Sequence, residues 1–405
     1  MDQPSGWRVA AAATFCLVVC PSALIVSCFG VLVRPLSIFY GWSPGQIGPA
    51  LSFMAFAIML TSLLQGRLLD RFGGRRLVMA FIPIFAVALA CLAVLPRSLP
   101  LFYLTWFLLP FASLGLWPAV YLKTVSGWFD RHLGLATGLA NGGIGIGTIV
   151  LPPLITWIMV RGGLQVGFVA MGGLALLAWP VAYFSIRENP STASPPATSG
   201  SGISGVKTSG DTWTYARILH DATYRRIAMG FLLIGVAGTG LLGSIVPILM
   251  SKGLSMPLAV SGIAGYGMLN LIGRLVTGAL LDRFHVTKVV LGLAMTTVAA
   301  LICLILNGPV WSWLAAAWTL GLFAGGEFDI LAYALRRYFG LDGFGRRYGL
   351  AFSAFQLGAT GGAALLAASV LLTSSYDLAL VVLAMAASAG AALLWTLGSY
   401  PSRSQ

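Results

Sequence analysis

Long apolar runs broken by short knots of charge set the pattern of this chain. Runs long enough to cross a bilayer, about 20 residues, lie at roughly 9–33, 46–69, 77–95, 99–122, 133–157 and 164–186. From Arg187 to about His220 the pattern stops. Asn189, Pro190, Ser191, Thr192, Ala193, Ser194, Pro195 and Pro196 open a stretch rich in Pro, Ser, Thr and Gly, which reads as a flexible linker. Six more apolar runs follow, at about 227–251, 257–281, 289–307, 310–335, 348–372 and 377–397. The pattern predicts an all-α integral membrane protein with twelve transmembrane helices in two six-helix bundles. The expected units are 1–187, a linker over 188–222, and 223–405.

Composition agrees: 58% of the 405 residues are hydrophobic and 9% charged, against about a quarter charged in soluble domains. Nineteen of the 24 Lys and Arg residues fall on one set of loop faces, four on the other (Arg34, Arg97, Arg161 and Lys252), and Arg274 alone lies within a span. Because cytoplasmic loops collect basic residues, both termini and the linker are expected in the cytoplasm. The same asymmetry accounts for the net charge of +13 through an anionic inner leaflet, with no nucleic-acid partner. Arginine outnumbers lysine 20 to 4, which points to a high-GC bacterium and an inner-membrane setting. Arg8 precedes an apolar run that continues past any small-residue cleavage site, so a first span is expected rather than a signal peptide. Cys16, Cys20, Cys28, Cys91 and Cys303 lack CxxC spacing, and the three histidines lack HxxxH spacing. No metal site, disulfide framework or cofactor is indicated. Neither HExxH nor GxSxG occurs, which argues against a membrane-embedded hydrolase.

Within this apolar chain Arg274 is the outstanding chemical feature. Eight residues separate it from Asp282, which places it about 12 Å inside one membrane face at roughly 1.5 Å per residue. A charge there costs on the order of 2.5–3.5 kcal/mol and persists only beside a wet cavity, a counter-charge or an anionic ligand. Arginine's planar fork of donors suits a carboxylate, so Arg274 is the expected substrate-holding group; a structural ion pair is the other reading. Asn270 and Tyr266 sit one and two turns before it on the same face. Glu327 and Asp329 are the two carboxylates inside a span, and either could carry a proton as access alternates. Two residues apart, they face different sides of the helix, so one could line the cavity while the other caps arginines such as Arg336.

The two halves resemble each other. Gly66, Leu68, Leu69, Asp70, Arg71 and Phe72 recur 212 residues later as Gly278, Leu280, Leu281, Asp282, Arg283 and Phe284. Arg131, Gly134, Leu135 and Ala136 recur at an offset of 215 as Arg346, Gly349, Leu350 and Ala351. Such duplication marks transporter architecture. An offset of 215 also pairs Asn141 with Gln356 and brings both toward the centre; Tyr121 and Tyr333 are further candidates there. Gly138, Gly142, Gly143 and Gly147, with Ala354, Gly358 and Gly362, have the four-residue spacing that permits close helix approach.

Gly66, Asp70, Arg71, Gly73 and Arg75 match the Gly-x-x-x-Asp-Arg-x-Gly-x-Arg loop of the major facilitator superfamily. The resemblance implies two pseudo-symmetric bundles around a cavity that opens to alternate sides. Asp70 would pair with arginines or a neighbouring helix end and latch one gate. The second copy, Asp282 and Arg283, has His285 and Lys288 where the motif has glycine and arginine, so a weaker latch is expected there. Within the superfamily the chain resembles bacterial monocarboxylate transporters, through Trp128, Phe129, Asp130, Arg131 and His132 leading into Leu135, Ala136, Gly138 and Ala140, and through Arg34 before Tyr40, Gly41 and Trp42. That resemblance implies a small organic anion as substrate, of the lactate, pyruvate and acetate class, moved by symport with H+, and Arg34 as a relay cation on the entry path. A solvated rim charge is the alternative for Arg34. Two departures stand out. The acidic, glycine-rich start of span one is replaced by Val19, Cys20, Pro21, Ser22 and Ala23, and Asn270 stands where the family carries an aspartate. Proton-free exchange or facilitation, and export of drugs or other organic solutes, remain as alternatives. No protein partner is indicated.

Overall fold

The computed structural model describes residues 4–189, 214–306 and 308–400. The Pro- and Ser-rich core of the expected linker lies outside them. Among the described residues ten helices are long and apolar enough to cross a membrane. Two features bring ten to the twelve crossings of the sequence pattern. Helix α8 (Leu133–Ser185) holds spans five and six, turning at Gly163, whose φ of 81° is a left-handed value that favours glycine. The fourth crossing is shared by α6 (Leu99–Ala112) and α7 (Pro118–Ser126), separated by the 3₁₀ turn Leu114–Leu116.

The first span is broken too. Helix α1 (Pro4–Val18) gives way to a π-helical turn over Ser22–Val26 after Pro21, then to α2 (Phe29–Tyr40). Proline removes a backbone donor and disturbs the ladder behind it. A capping box at α3 (Pro44–Ile47), in which Ser43 accepts from Gln46 N while the Gln46 side chain accepts from Ser43 N, starts the second span, α4 (Pro49–Phe72). Helix α5 (Gly74–Cys91) is the third.

In the second half, the short α9 (Tyr215–His220) precedes span seven. That span is α10 (Ala222–Ala237) and α11 (Ile245–Ser251) around a 3₁₀ segment, Thr239–Ser244. Spans eight to twelve are α12 (Met256–Arg283), α13 (Val286–Ile305), α14 (Val310–Phe339), α15 (Phe344–Thr373) and α16 (Asp377–Trp395). The outward surface is studded with Phe184, Val160, Leu371 and Leu372, as helices facing lipid require.

The halves meet along two helix pairs, α4 with α15 and α8 with α12. Glycines make both crossings possible. A Cβ on Gly66 would lie 2.3 Å from Gly345 O, and one on Gly278 would lie 2.4 Å from Gly134 O. Within each half the expected small-residue spacing works as packing: Gly143 and Gly147 rest on Thr14 and Val18 of span one, while Gly358 and Gly362 rest on Leu232 and Val236 of span seven. Gly142 has open space instead.

Candidate functional site

At one end of the molecule two aspartates clasp the halves together. Asp70, at the end of α4, accepts from Gly345 N (2.8 Å) and Arg346 N (2.9 Å), the first amides of α15. Asp282, at the end of α12, accepts from Gly134 N (2.6 Å) and Leu135 N (2.8 Å), the first amides of α8. Each carboxylate caps a helix N-terminus of the opposite half, where free N–H groups and the helix dipole favour negative charge. Asp70 thus takes the helix end, of the two partners expected for it, and adds Lys123 at 2.8 Å. The second clasp makes the same two amide bonds, and among the described residues no ion pair corresponds to that of Lys123. Both carboxylates bind backbone amides, for which the glycine and arginine missing from the second copy are not needed. Arg71 and Arg283 are exposed, with Arg71 over the Phe72 ring, and Arg75 donates to Tyr183 O. Gly73, at φ 78°, leaves space for Glu188, whose carboxylate would collide with a Cβ there.

The clasps also revise the internal register. They relate α8 to α15 at an offset of 211, one turn less than the 215 of the sequence echo, whereas the glycines facing spans one and seven keep 215. By the clasp register Gly138 on the Arg274 carbonyl corresponds to Gly349 on the Ser62 carbonyl and Asn141 to Phe352, whereas the glycine register keeps Asn141 with Gln356.

Two turns in from the second clasp lies Arg274. It is 5% exposed, and among the described residues its Nε and Nη1 meet no acceptor. Four elements surround it. The Asn270 and Arg274 backbone lies against Gly325 of α14, and Gly138 of α8 lies against the Arg274 carbonyl. Asp329 of α14, Tyr348 of α15, Tyr266 of its own helix and Cys20 beside the break in span one are within its electrostatic reach. Asp329 is fully buried, accepts from the Asn141 side chain across the interface, and has its second oxygen unpartnered. The Asn141 Oδ1 and Thr277 Oγ1 acceptors are likewise buried and unpartnered. The centre therefore holds a guanidinium with spare donors close to a carboxylate and two neutral acceptors, drawn from both halves.

The other residues singled out in the sequence spread more widely. Asn270 is half-buried one turn from Arg274. Glu327 is buried with an oxygen against Gly238, where span seven breaks. Tyr121 is buried inside the first half against the Cys16 thiol. Tyr333 lies at the clasps, beneath the Arg337 guanidinium at 5.1 Å, because it is one turn past Asp329 toward the end of α14. Gln356 is half-buried on α15, and Arg34 is exposed at the end away from the clasps. Arg336 pairs with Asp130 (3.3 Å) rather than with the carboxylates of its own helix, and Arg337 donates to Asp130 O (2.9 Å). Lys123 was given no role from the sequence, and Asp130 only a place in the stretch leading into span five, although each is a charge beside a span end.

Two cavities are resolved away from Arg274. One of about 350 Å³ is apolar and lies between α2 and the turn in α8 (Val31, Pro35, Ile38, Met159, Val160, Leu164). The other is a small niche between α4, the break in span four and α15.

Residues 15–363 match the Major Facilitator Superfamily. The chain belongs to that superfamily. It is 26% identical over 324 residues to the uncharacterized MFS-type transporter YhjX of Escherichia coli, covering 77% of this chain and 76% of that one. A probable chloroplastic anion transporter of rice is 32% identical over 185 residues, 44% of this chain and 34% of the relative. Among solved structures, the E. coli fucose:proton symporter FucP superposes with a TM-score of 0.74 at 14% identity over 98% of both chains. The proton:xylose symporter XylE gives 0.72 at 14% identity over 98% and 96%. The fold is thus that of a membrane transporter, not an enzyme.

Proposed function

We propose that this transporter carries a small monocarboxylate together with a proton, holding the anion at Arg274 and the proton at Asp329. The observation that carries this reading is the buried Arg274 guanidinium, whose Nε and Nη1 meet no acceptor among the described residues. An arginine serving only as half of a structural pair would spend its donors on the carboxylate; here Asp329 is within electrostatic reach of Arg274, and among the described residues no ion pair within 4 Å joins them. Charge balance then supplies the coupling. Empty, the site holds Arg⁺ and Asp⁻. Loaded, it holds Arg⁺, a carboxylate and a neutral Asp329. Both sum to zero, while the anion or the proton alone leaves a net charge in a low-dielectric interior, which is costly. The two ligands therefore travel together. The aspartate that the monocarboxylate resemblance places on span eight is Asn270 here, and Asp329 on span ten stands in for it.

The bundles 1–187 and 223–405 rock about this centre, with 188–222 as their tether. The clasped end faces the cytoplasm of a bacterial inner membrane, following the loop charges. The inter-half hydrogen bonds among the described residues run from the clasps to the midplane, so the substrate enters past Arg34 from the far side. Tyr266 and Asn270 line the approach to Arg274. Glu327, at the break in span seven, is the second candidate for the proton. The anion transporter among the relatives and the proton symport of FucP fit this reading.

The test is uptake of labelled lactate, pyruvate or acetate into vesicles of purified protein under an imposed pH gradient. Inward acidity on the entry side is expected to drive accumulation, and Arg274→Gln to abolish it. Gradient-independent uptake would remove the proton, uptake unchanged in Arg274→Gln would remove the site, and transport of uncharged organic solutes alone would favour an exporter.

A further inference from the structure

Across the centre of the molecule, Asn141 and Asp329 form a hydrogen-bonded pair that is one bond short. Asn141 lies one turn beyond Gly138 on α8 and Asp329 one turn beyond Gly325 on α14, the two glycines against which the Arg274 backbone rests. Asn141 Nδ2 donates to Asp329 Oδ1, so the bond joins the first half to the second. Both residues are fully buried. The atoms that flank this bond, Asn141 Oδ1 and Asp329 Oδ2, are also buried and, among the described residues, both lack a partner. Buried acceptors without donors are costly and uncommon. Here two of them border a single bond.

A carboxylic acid complements a primary amide where a carboxylate does not. The ionised group only accepts, so it can use the N–H₂ of asparagine but leaves the amide oxygen idle, whereas the neutral acid adds one O–H donor. A proton on Oδ2 supplies the donor that Asn141 Oδ1 lacks and satisfies both orphans together. The pair then closes into a ring of two hydrogen bonds. The charged and titratable groups that face Asp329 are Arg274 from α12 and Tyr348 from α15, with Glu327 two residues before it on α14. Among the described residues neither Arg274 nor Tyr348 is bonded to Asp329, and α8 contributes the neutral Asn141.

We infer that Asn141 is the second ligand of the transported proton, which sits on Asp329 Oδ2 and is donated to Asn141 Oδ1. This rests on the reading of Asp329 as the proton carrier and gives Asn141 a role at the proton rather than at the anion. The ring turns both Asp329 oxygens to Asn141, so they make no claim on Arg274 Nε and Nη1, which stay open to the substrate carboxylate. Because its two members belong to opposite halves, the ring lasts only while α8 and α14 are together. Parting of the halves at the clasped end withdraws the amide and leaves Asp329 with Arg274. The O–H bond then breaks, the proton passing to water on the opened side and the electron pair remaining on a carboxylate that the guanidinium attracts. The position of the bundles thereby sets how tightly the proton is held, and the proton in turn favours the clasped arrangement.

The test is infrared difference spectroscopy of the purified protein on acidification, read at the C=O stretch of protonated carboxyl groups. A carboxyl that accepts a hydrogen bond absorbs at lower frequency than a free one. The expected result is a band that vanishes in Asp329→Asn and moves to higher frequency in Asn141→Leu, which removes both amide atoms. A second variant exchanges the pair: Asn141→Asp with Asp329→Asn puts the acid on α8 and the amide on α14. Uptake driven by a pH gradient, lost in Asp329→Asn, is expected to return in the exchanged pair, with the carboxyl band at its wild-type frequency. If no band depends on Asp329, the proton is not carried there and the reading above falls with the inference. A band that depends on Asp329 yet stays in place in Asn141→Leu overturns the Asn141 assignment alone. Should Asn141→Leu fail to fold, the exchanged pair decides, since a band at the free-acid position there also overturns it.

Discussion

Arg274 and Asp329 are fixed by complementary needs. The Arg274 backbone is packed on both sides, against Gly138 and Gly325, and Nε and Nη1 of its guanidinium meet no acceptor among the described residues. Arg274→Lys keeps the charge but loses the planar fork, so uptake is expected to fall by at least tenfold, with the loss mainly in apparent affinity. Asp329→Asn fixes the site in its neutral form: exchange of unlabelled for labelled substrate should persist while pH-driven accumulation disappears. Residue chemistry is also visible at His285. Its Nδ1 accepts from Thr287 N at the start of α13, and its ring packs on Tyr400 at 4.1 Å. Burial first, then Lys288, holds its pKa below the usual histidine value. A depressed histidine favours the neutral form in the fold, so its contribution is complete above the unfolded pKa of about 6.5 and is lost as pH falls through and below it. The thermal midpoint of purified protein should therefore drop on acidification below about pH 6.5, and less steeply in His285→Asn, which can still cap.

At the scale of helices, contact between backbones governs the interface. Gly66 and Gly345 are mutually exclusive of any Cβ, so Gly66→Ala must push α4 from α15 at the clasped end. Amide exchange measured over residues 340–349 should accelerate, because Gly345 N and Arg346 N lose Asp70. The elements themselves were largely legible in the sequence, since twelve apolar runs bounded by charge leave few alternatives. The breaks were not. Span one was read as continuous through Pro21, and the break in span four lies between Pro110 and Pro118, two prolines the apolar run conceals, with Gln65 donating to Leu114 O from another helix. The register was not legible either. A sequence echo aligns similar residues, while the clasps align helix starts, and α15 begins one turn differently with respect to its echo.

At the scale of the molecule, the clasps make the closure of one end a joint property of both halves. If each bundle moves as a rigid body, Asp70→Asn should raise amide exchange not only at Gly345 and Arg346 but also at Gly134 and Leu135, although those are bound by Asp282. Exchange confined to the first pair would show the halves yielding locally. Much of the candidate site was legible because a lone charge in an apolar span is conspicuous: Arg274, Glu327, Asp329 and Asp70 all declared themselves. Thr277, Tyr348 and Asp130 did not, since a hydroxyl or a loop carboxylate acquires meaning only from its neighbours in space. Tyr333 misled for the converse reason, as proximity to Asp329 along the chain carried it one turn down, to the clasps.

Because each clasp is a carboxylate on peptide N–H groups, its partner cannot be altered by substitution except to proline, nor neutralised by modifying a side chain. Basic neighbours are free to drift in evolution without unfastening the door. What they tune is how firmly it shuts in dilute against concentrated electrolyte, Lys123 beside Asp70 being the salt-sensitive part of an otherwise salt-tolerant lock.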